Sequence, residues 1–255
     1  MIRRHFQYRE TIATLLADEE IHITAGIEGM LGARREIEQC IAHDPFFVIT
    51  YEPYHPSWGG ETVSRMVAAA DGARVGPMAA VAGAIAWAGV EAMVNAGADC
   101  AVIDNGGDIA LTSDRPIRVG IHAGTAPLSN QLAFIIPPQE KILGICTSSA
   151  TVGHSVSFGV ADAVTVFSHD IAAADAWATA ICNVILPDRT EILQTLAGSS
   201  IDGVMVIIGE QQICWGDLPP LVKAHVDEEL ITRGRAVLTG APQYTSVPGD
   251  RTPDR

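Results

Sequence analysis

The sequence predicts an α+β fold, in which helices lie between runs of β-strands. Apolar positions recur at helical spacing in residues 27–42, where Arg and Glu occupy the positions between them. From residue 100 onward, short apolar runs bounded by glycine, proline or asparagine indicate strands joined by turns. No linker or repeat divides the chain, so we expect one domain over residues 1–240. A polar, proline-containing tail over residues 241–255 is expected to be flexible.

The N-terminal half is predicted to begin with a hairpin over residues 3–23, followed by the helix at 27–42. The hairpin strands are expected at residues 4–8 and 20–23, while residues 46–50 fit either a strand or a loop. Helices are expected at 61–70 and 77–96, because Pro77 suits a first helical turn and Gly97 suits a helix end. Since the second of these is rich in alanine and glycine, it is predicted to be a tightly packed central helix.

The C-terminal half is predicted to alternate between strands and helices. Strands are expected at residues 100–103, 117–122, 132–136, 142–147 and 163–167, and a hairpin at 204–215. A helix over 170–185 would be capped by Ser168 or Asp170 and ended by Pro187. Residues 221–230 are predicted to be helical.

Charge and composition exclude several classes of partner. The net charge is -14, which argues against nucleic acid and against an anionic membrane surface. A bound cation would still allow an anionic ligand. The five cysteines include no Cys-x-x-Cys pair, so neither a disulfide framework nor a zinc site is expected. The N-terminus has no apolar signal region and the longest apolar run, 77–90, is too short to cross a bilayer, so a cytoplasmic protein is expected.

A carboxylate and a hydroxyl lie four residues apart in the alanine-rich helix at 170–185. Asp175 and Thr179 therefore share one helix face. Two hard oxygens on adjacent turns suit Mg²⁺, which also takes waters and phosphate oxygens. The alternative is structural: Asp175 pairs with Arg65 or Arg74, and Thr179 bonds back to the preceding turn.

The polar loop Asn105-Gly106-Gly107-Asp108 follows an apolar strand-like run. Two glycines let the backbone approach a ligand closely, so the loop is a candidate ligand-binding element. The Asn-Gly pair equally predicts a tight hairpin turn, and both interpretations remain open.

Hydroxyl groups cluster around one histidine between residues 147 and 157. They include Thr147, Ser148, Ser149 and Ser155, next to His154. The segment does not complete a Gly-x-Ser-x-Gly nucleophile motif, because residue 157 is serine. Contacts to phosphate or ribose fit these side chains better, with His154 as a proton acceptor.

These segments resemble the ApbE superfamily, the FAD:protein FMN transferases. The strand with Gly-Gly-Asp at residues 101–109 resembles one family element, and the Thr-Ser strand at 146–149 resembles another. The helix segment 174–180 matches the family's Ala-Asp-Ala-x-x-Thr-Ala pattern closely, and residues 76–80 match a helix start more weakly. The matching elements span about residues 60–185 in the family's order.

The resemblance implies mixed or antiparallel sheets packed with helices, and a magnesium ion held by Asp175, Thr179 and the backbone carbonyl of Ala79. In that family, the metal clamps the pyrophosphate of FAD, and FMN is passed to a threonine of a flavoprotein acceptor. The chain departs from the family at two places. Ala80 stands where the family has lysine, and the shorter loop 153–159 replaces a His- and Asp-Pro-containing loop.

Two functions remain open. The first is Mg²⁺-assisted binding of a flavin- or nucleotide-type phosphorylated small molecule, with flavinyl or phosphoryl transfer, in a cytoplasmic branch of the superfamily. The second is a non-catalytic ligand-binding or assembly protein that kept the fold. A homo-oligomer is compatible with either.

Overall fold

A computed structural model describes residues 1–150, 159–227 and 231–232 of the chain. Its main element is an eight-stranded sheet. The strands are β1 Ile2–Tyr8, β2 Thr11–Ala17, β3 Cys100–Asn105, β4 Asp108–Ser113, β7 Gln139–Ser148, β8 Ala163–Ser168, β9 Ile201–Ile208 and β10 Gln211–Gly216. They follow one another across the sheet in this order, and every neighbouring pair is antiparallel. A smaller antiparallel sheet, β11-β6-β5, contains β5 Ile117–Gly120, β6 Leu132–Ile136 and β11 Leu221–Lys223.

Five α-helices and two 3₁₀ helices complete the described part. The α-helices are α1 Glu20–His43, α2 Phe46–Ile49, α3 Glu61–Ala73, α4 Val81–Asn95 and α5 Ile171–Val184. The 3₁₀ helices are Pro77–Ala80, directly before α4, and Glu191–Leu196. The α+β class with antiparallel sheets and packed helices is therefore confirmed.

The main sheet separates two hydrophobic cores, because successive side chains of a strand point to opposite faces. On one face, β3 contributes Ala101 and Ile103 to a core shared with α1, α4 and α5. On the other face, Val102 joins a second core with residues of the smaller sheet. There Phe134 and Phe167 meet edge to face, with ring centroids 4.8 Å apart. Any residue of the sheet is thus assigned to the helix side or to the small-sheet side by its position in the strand.

The central helix α4 packs very closely against α1. A Cβ placed on Gly29 of α1 would lie 2.6 Å from the carbonyl oxygen of Ala88. The stretch Pro77–Asn95 is the one helical segment of the described chain that is long and apolar enough to span a membrane, and half of its most apolar window is buried. Its packing explains that composition, since small residues allow the backbones to approach.

Three sequence-based expectations are wrong for physical reasons. The second hairpin strand is Thr11–Ala17 rather than 20–23. This strand lies between β1 and β3 and is buried on both faces, so it lacks the alternation that marks a half-exposed strand. Residues 20–23 begin α1, and the described part of 221–230 holds strand β11 instead of a helix. Residues 46–50 contain the short helix α2.

The glycines of α1 provide a matched test of this packing. Gly29→Ala should lower the free energy of unfolding by about 1–3 kcal/mol, because the new methyl group meets the α4 backbone. Gly32→Ala, three residues later, should raise it by up to about 1 kcal/mol, because only the end of the Arg35 side chain is nearby at 3.9 Å. Denaturant unfolding of both variants measures the difference, and equal effects would contradict the close helix contact.

Candidate site at the start of helix α4

The Asn105–Asp108 segment is a two-residue hairpin between β3 and β4. Asn105 and Asp108 are cross-strand partners, and Gly106 and Gly107 form the turn with φ values of 72° and 107°. Positive φ at both central residues is typical of a two-residue hairpin turn with a Gly-Gly pair, so the turn lies one residue later than the Asn-Gly pair alone would place it. The Gly107 amide also donates to Asp104 Oδ1 over 2.9 Å, which fixes the turn. The hairpin interpretation is thus confirmed, and ligand contact by this turn stays a prediction.

Asn105 and Asp108 lie on the helix side of the sheet, as do Ile103 and Ala110 two positions away along each strand. The Asn105 Nδ2 atom donates to the carbonyl oxygen of Ala82, in the first turn of α4, over 3.0 Å. This hydrogen bond joins the turn to the beginning of the central helix.

Asp175 reaches the same helix start from α5. Its Oδ2 atom accepts a hydrogen bond from the Gly83 amide over 2.8 Å. The first amide groups of a helix have no partner inside the helix and carry a partial positive charge, so a carboxylate is favourable there. A Cβ on Gly83 would lie 2.9 Å from both Asp175 Cβ and the Ile171 carbonyl oxygen, so only glycine permits this approach.

Cys146 connects strand β7 to the start of α5. It is the cross-strand partner of Asp108 on β7. Its thiol donates to the carbonyl oxygen of Ile171, at the start of α5, over 3.6 Å. Asp108 is therefore flanked by Asn105, which contacts α4, and by Cys146, which contacts α5.

Two carboxyl groups, those of Asp175 and Asp108, have shifted pKa values where the starts of α4 and α5 meet the sheet. Burial raises the pKa of Asp175 to about 7, although the amides of Gly83 and Ala82 oppose the shift. Burial, and then the charges of Asp175 and Asp104, raise the pKa of Asp108 well above its ordinary value. As a whole residue Asp108 keeps partial exposure, yet its Oδ1 atom is fully buried and has no hydrogen-bond partner within residues 1–150 and 159–227. Buried carboxylates without a positive partner are costly.

The structural alternative for Asp175 is wrong as far as Arg65 and Arg74 are concerned. Arg65 forms ion pairs with Glu61 and Glu91 and lies 4.0 Å from the centre of the Trp87 ring. Across residues 1–150 and 159–227, no ion pair joins Asp175 to Arg74 or to another basic side chain. Among the described residues, the partners of the Asp175 carboxylate are the amides of Gly83 and Ala82.

The other predicted metal donors border the same place. Thr179 lies one turn after Asp175 on α5 and is half-buried, and its hydroxyl has no hydrogen bond to the described residues. Ala79 belongs to the 3₁₀ helix before α4, which contacts α5. The described residues contain no group of three or more His, Cys, Asp or Glu side chains placed to hold a metal. A carboxylate, a hydroxyl and a carbonyl nevertheless fit Mg²⁺, which keeps several waters or phosphate oxygens as ligands.

The predicted hydroxyl ligands are divided between the two faces of the sheet. Thr147 Oγ1 is 3.0 Å from Thr165 Oγ1, on the side of the second core and away from Asp175. Ser148, the next residue, is buried on the helix side, and Ser149 is half-buried just beyond the strand end. His154 and Ser155 lie outside the described residues.

Sequence reasoning missed two residues that build this site. Gly83 was not singled out, although the density of small residues in residues 77–96 was the signal for a close helix contact. Cys146 appeared only as part of a strand, and nothing in its spacing predicts the bond to Ile171.

The sequence is similar to one protein family and to individual proteins of similar length. The family described as AbpE bacteria matches residues 3–236. A UPF0280 protein of Methanoculleus marisnigri is 61% identical over 92% of this chain and 96% of its own length. Another, from Methanosphaerula palustris, is 57% identical over 92% of this chain and 99% of its own length.

Solved structures share the architecture at low sequence identity. The apo flavinyl transferase ApbE of Pseudomonas stutzeri is 13% identical, with a TM-score of 0.54 over 91% of this chain and 98% of its own. The ApbE protein of Thermotoga maritima is 10% identical, with the same TM-score over 91% of this chain and 99% of its own. These likenesses confirm the fold that the sequence resemblance implied.

The raised pKa of Asp175 has a measurable consequence in metal-free protein. A carboxyl group whose pKa rises from 3.8 to about 7 on folding binds a proton in the folded state where the unfolded chain has lost it. The contribution of Asp175 to the unfolding free energy should therefore be largest below pH 4 and fall as the pH rises to about 7. Asp175→Asn, which still accepts from Gly83 but cannot ionise, should remove part of this fall, on the order of a few kcal/mol.

Denaturant unfolding in a chelator at several pH values measures this slope. Asp114→Asn is the control, because Arg115 lowers the pKa of that exposed carboxyl group and its contribution is lost only as the pH falls. The same slope in the wild type and in Asp175→Asn would show that the Asp175 carboxyl is not perturbed by burial.

Proposed function

The chain belongs to the family described as AbpE bacteria, and on that premise we propose that it binds a flavin- or nucleotide-type phosphorylated ligand with Mg²⁺ and transfers a flavinyl or phosphoryl group. One observation carries the proposal. Asp175 is a buried carboxylate with no basic partner in the described chain, and it lies at the start of α4 beside the Asn105–Asp108 turn. Such a carboxylate fits a divalent cation that also binds an anionic ligand.

Asp175, Thr179 and the Ala79 carbonyl oxygen would hold the metal. When bound, the ion supplies neutralisation of the charge on the pyrophosphate oxygens and fixes their orientation. Gly83 would keep Asp175 in place, because its amide holds one carboxylate oxygen. Asn105, bonded to Ala82, would hold the turn against the same helix start, so that the ligand is bound between rigid elements.

The turn Asn105–Asp108, together with Ser148, Ser149 and Ser155, would contact the phosphorylated ligand. Thr147 is left out of this set, because its side chain meets Thr165 on the other face of the sheet. With FAD as the substrate, a hydroxyl of a flavoprotein acceptor attacks the phosphorus of the FMN half. A phosphorus–oxygen bond to that hydroxyl forms while the bond to AMP breaks. His154 would accept the proton of the hydroxyl. We propose that this takes place in the cytoplasm.

A second function is favoured by two observations. Ala80, at the position where the resemblance calls for lysine, is fully buried, so no basic group stands there to meet a phosphate. Large apolar side chains are also exposed between residues 46 and 58: Phe46, Val48, Ile49, Tyr51 and Trp58. Exposed apolar patches mark interaction surfaces. A non-catalytic ligand-binding or assembly protein, including a homo-oligomer, would have both features.

Incubation with FAD, Mg²⁺ and a flavoprotein acceptor separates the two functions. FMN attached to the acceptor together with release of AMP supports the transferase. Binding of FAD without either product supports the binding protein, and the absence of any FAD binding contradicts both.

The role of Asp175 can be tested by binding alone. Asp175→Ala should weaken Mg²⁺-dependent FAD binding by about 100-fold or more, because the metal loses its carboxylate ligand. Asp170→Ala on the same helix is the matched control. Asp170 caps α5 by accepting from the Ala173 amide over 3.0 Å, so its loss should cost about 1 kcal/mol of stability and leave Mg²⁺ dependence intact. Calorimetric titration with and without Mg²⁺ measures both, and unchanged binding by Asp175→Ala would eliminate the metal site.

A further inference from the structure

Asp108 has a buried oxygen with no hydrogen-bond partner in the part of the chain that the structure describes. This atom, Oδ1, is inaccessible to solvent. Most buried polar atoms in proteins have partners, so an exception calls for a physical reason. A ligand that donates positive charge is one such reason.

The contacts around Asp108 place it where the starts of α4 and α5 meet the sheet, next to the contact that Asp175 makes with α4. Its two cross-strand neighbours reach both helices: Asn105 donates to Ala82 on α4, and Cys146 donates to Ile171 on α5. Asp175 follows one turn after Ile171 and contacts α4 at Gly83. Asp108 approaches from the sheet, and Asp175 approaches from the helix layer.

The charges where the starts of α4 and α5 meet the sheet are not balanced by the described chain. Neither carboxylate forms an ion pair there, and the partial positive charge of the α4 N-terminus is already used by Asp175. Two close carboxylates in a low-dielectric environment repel each other unless a proton or a cation lies between them. A cation with oxygen ligands satisfies both groups and the orphaned oxygen.

We propose that Asp108 is a second carboxylate ligand of the divalent-cation site, and that with two carboxylates the site holds its cation before any phosphorylated ligand arrives. This inference rests on the proposed function, since it uses the Asp175 site. It adds a residue that the family resemblance does not assign to the metal. It also explains how a site with Ala80 in place of lysine attracts an anionic ligand, because the pre-bound ion supplies the positive charge.

Binding of Mn²⁺, used as the probe for Mg²⁺, tests the inference in nucleotide-free full-length protein. The loss of the free Mn²⁺ signal in electron paramagnetic resonance gives the dissociation constant. The wild type should bind Mn²⁺, and Asp108→Asn should weaken binding at least about 10-fold, which corresponds to about 1.4 kcal/mol. Asp104→Asn is the matched control, because Asp104 belongs to the same hairpin but faces away from α4 and bonds to the Gly107 amide. It should change the affinity less than about twofold.

Thermal unfolding distinguishes the loss of a metal ligand from a general loss of stability in Asp108→Asn. In a chelator, Asp108→Asn should melt at or above the wild-type temperature, because an unpaired buried charge has been removed. Saturating Mn²⁺ should raise the melting temperature of the wild type and of Asp104→Asn, but much less that of Asp108→Asn. A large drop for Asp108→Asn in the chelator would identify a structural carboxylate and overturn the inference.

The remaining outcomes separate this inference from the proposed function. Equal Mn²⁺ affinity of the wild type and Asp108→Asn overturns the role of Asp108. If Asp175→Asn loses Mn²⁺ in the same experiment, the metal site itself survives that result. If Asp175→Asn binds Mn²⁺ with wild-type affinity, both the inference and the metal site of the proposed function are contradicted. If the wild type binds no Mn²⁺ without nucleotide, only the inference is contradicted.

Discussion

The contact between the Asp175 carboxylate and the Gly83 amide organises the whole candidate site. It brings α5 against the beginning of α4 at a distance that only a residue without a side chain permits. The same first turn of α4 receives the Asn105 side chain from the β3–β4 hairpin. A helix, a hairpin and a second helix are therefore fixed relative to one another by two hydrogen bonds at one helix end.

The alternation of the main sheet then decides which polar residues share that space. Asn105, Asp108 and Ser148 lie on the helix side. Thr147 and Asp104 are immediate neighbours of these residues in sequence, yet they lie on the other face, where Thr147 meets Thr165. Because a strand has a period of two residues, a contiguous polar motif cannot deliver all its side chains to one ligand. The hairpin and the Thr-Ser strand thus divide their side chains between the site and the second core.

Much of this fold was predictable from local patterns. The strands from residue 100 onward, α3, α5 and the hairpin at Asn105–Asp108 follow from turn residues, periodicity and capping, whereas the antiparallel sheets were implied by the family resemblance. Asp170, one of the two predicted caps, caps α5. Strand β2 was missed because burial on both faces removes alternation, and the start of α1 was missed because residues 20–23 alternate like a strand. In each case the tertiary environment outweighed the local pattern.

The candidate site was predictable only in part. The pairing of Asp175 with Thr179 is a matter of helical spacing, whereas the proximity of Asp175 to the hairpin came from family resemblance. The roles of Gly83 and Cys146 depend on distances between elements far apart in the chain, which no spacing encodes. The unsatisfied oxygen of Asp108 belongs to the same class, since burial and the absence of a partner are properties of the folded chain.

Charge balance connects the site with the departure of this chain from the family pattern. Where the resemblance calls for a lysine, the buried Ala80 offers no charge, and the described residues supply no basic side chain to Asp108 or Asp175. The chain as a whole carries a net charge of -14, so long-range attraction of a phosphorylated ligand is not available either. A negative ligand therefore meets no basic side chain of the described residues at this helix end, and the proposed cation would supply the missing positive charge. Both candidate functions share this requirement, because it arises from the electrostatics of the binding site and not from the chemistry that follows binding. The proposed dependence on a cation accordingly does not depend on whether transferase chemistry follows binding.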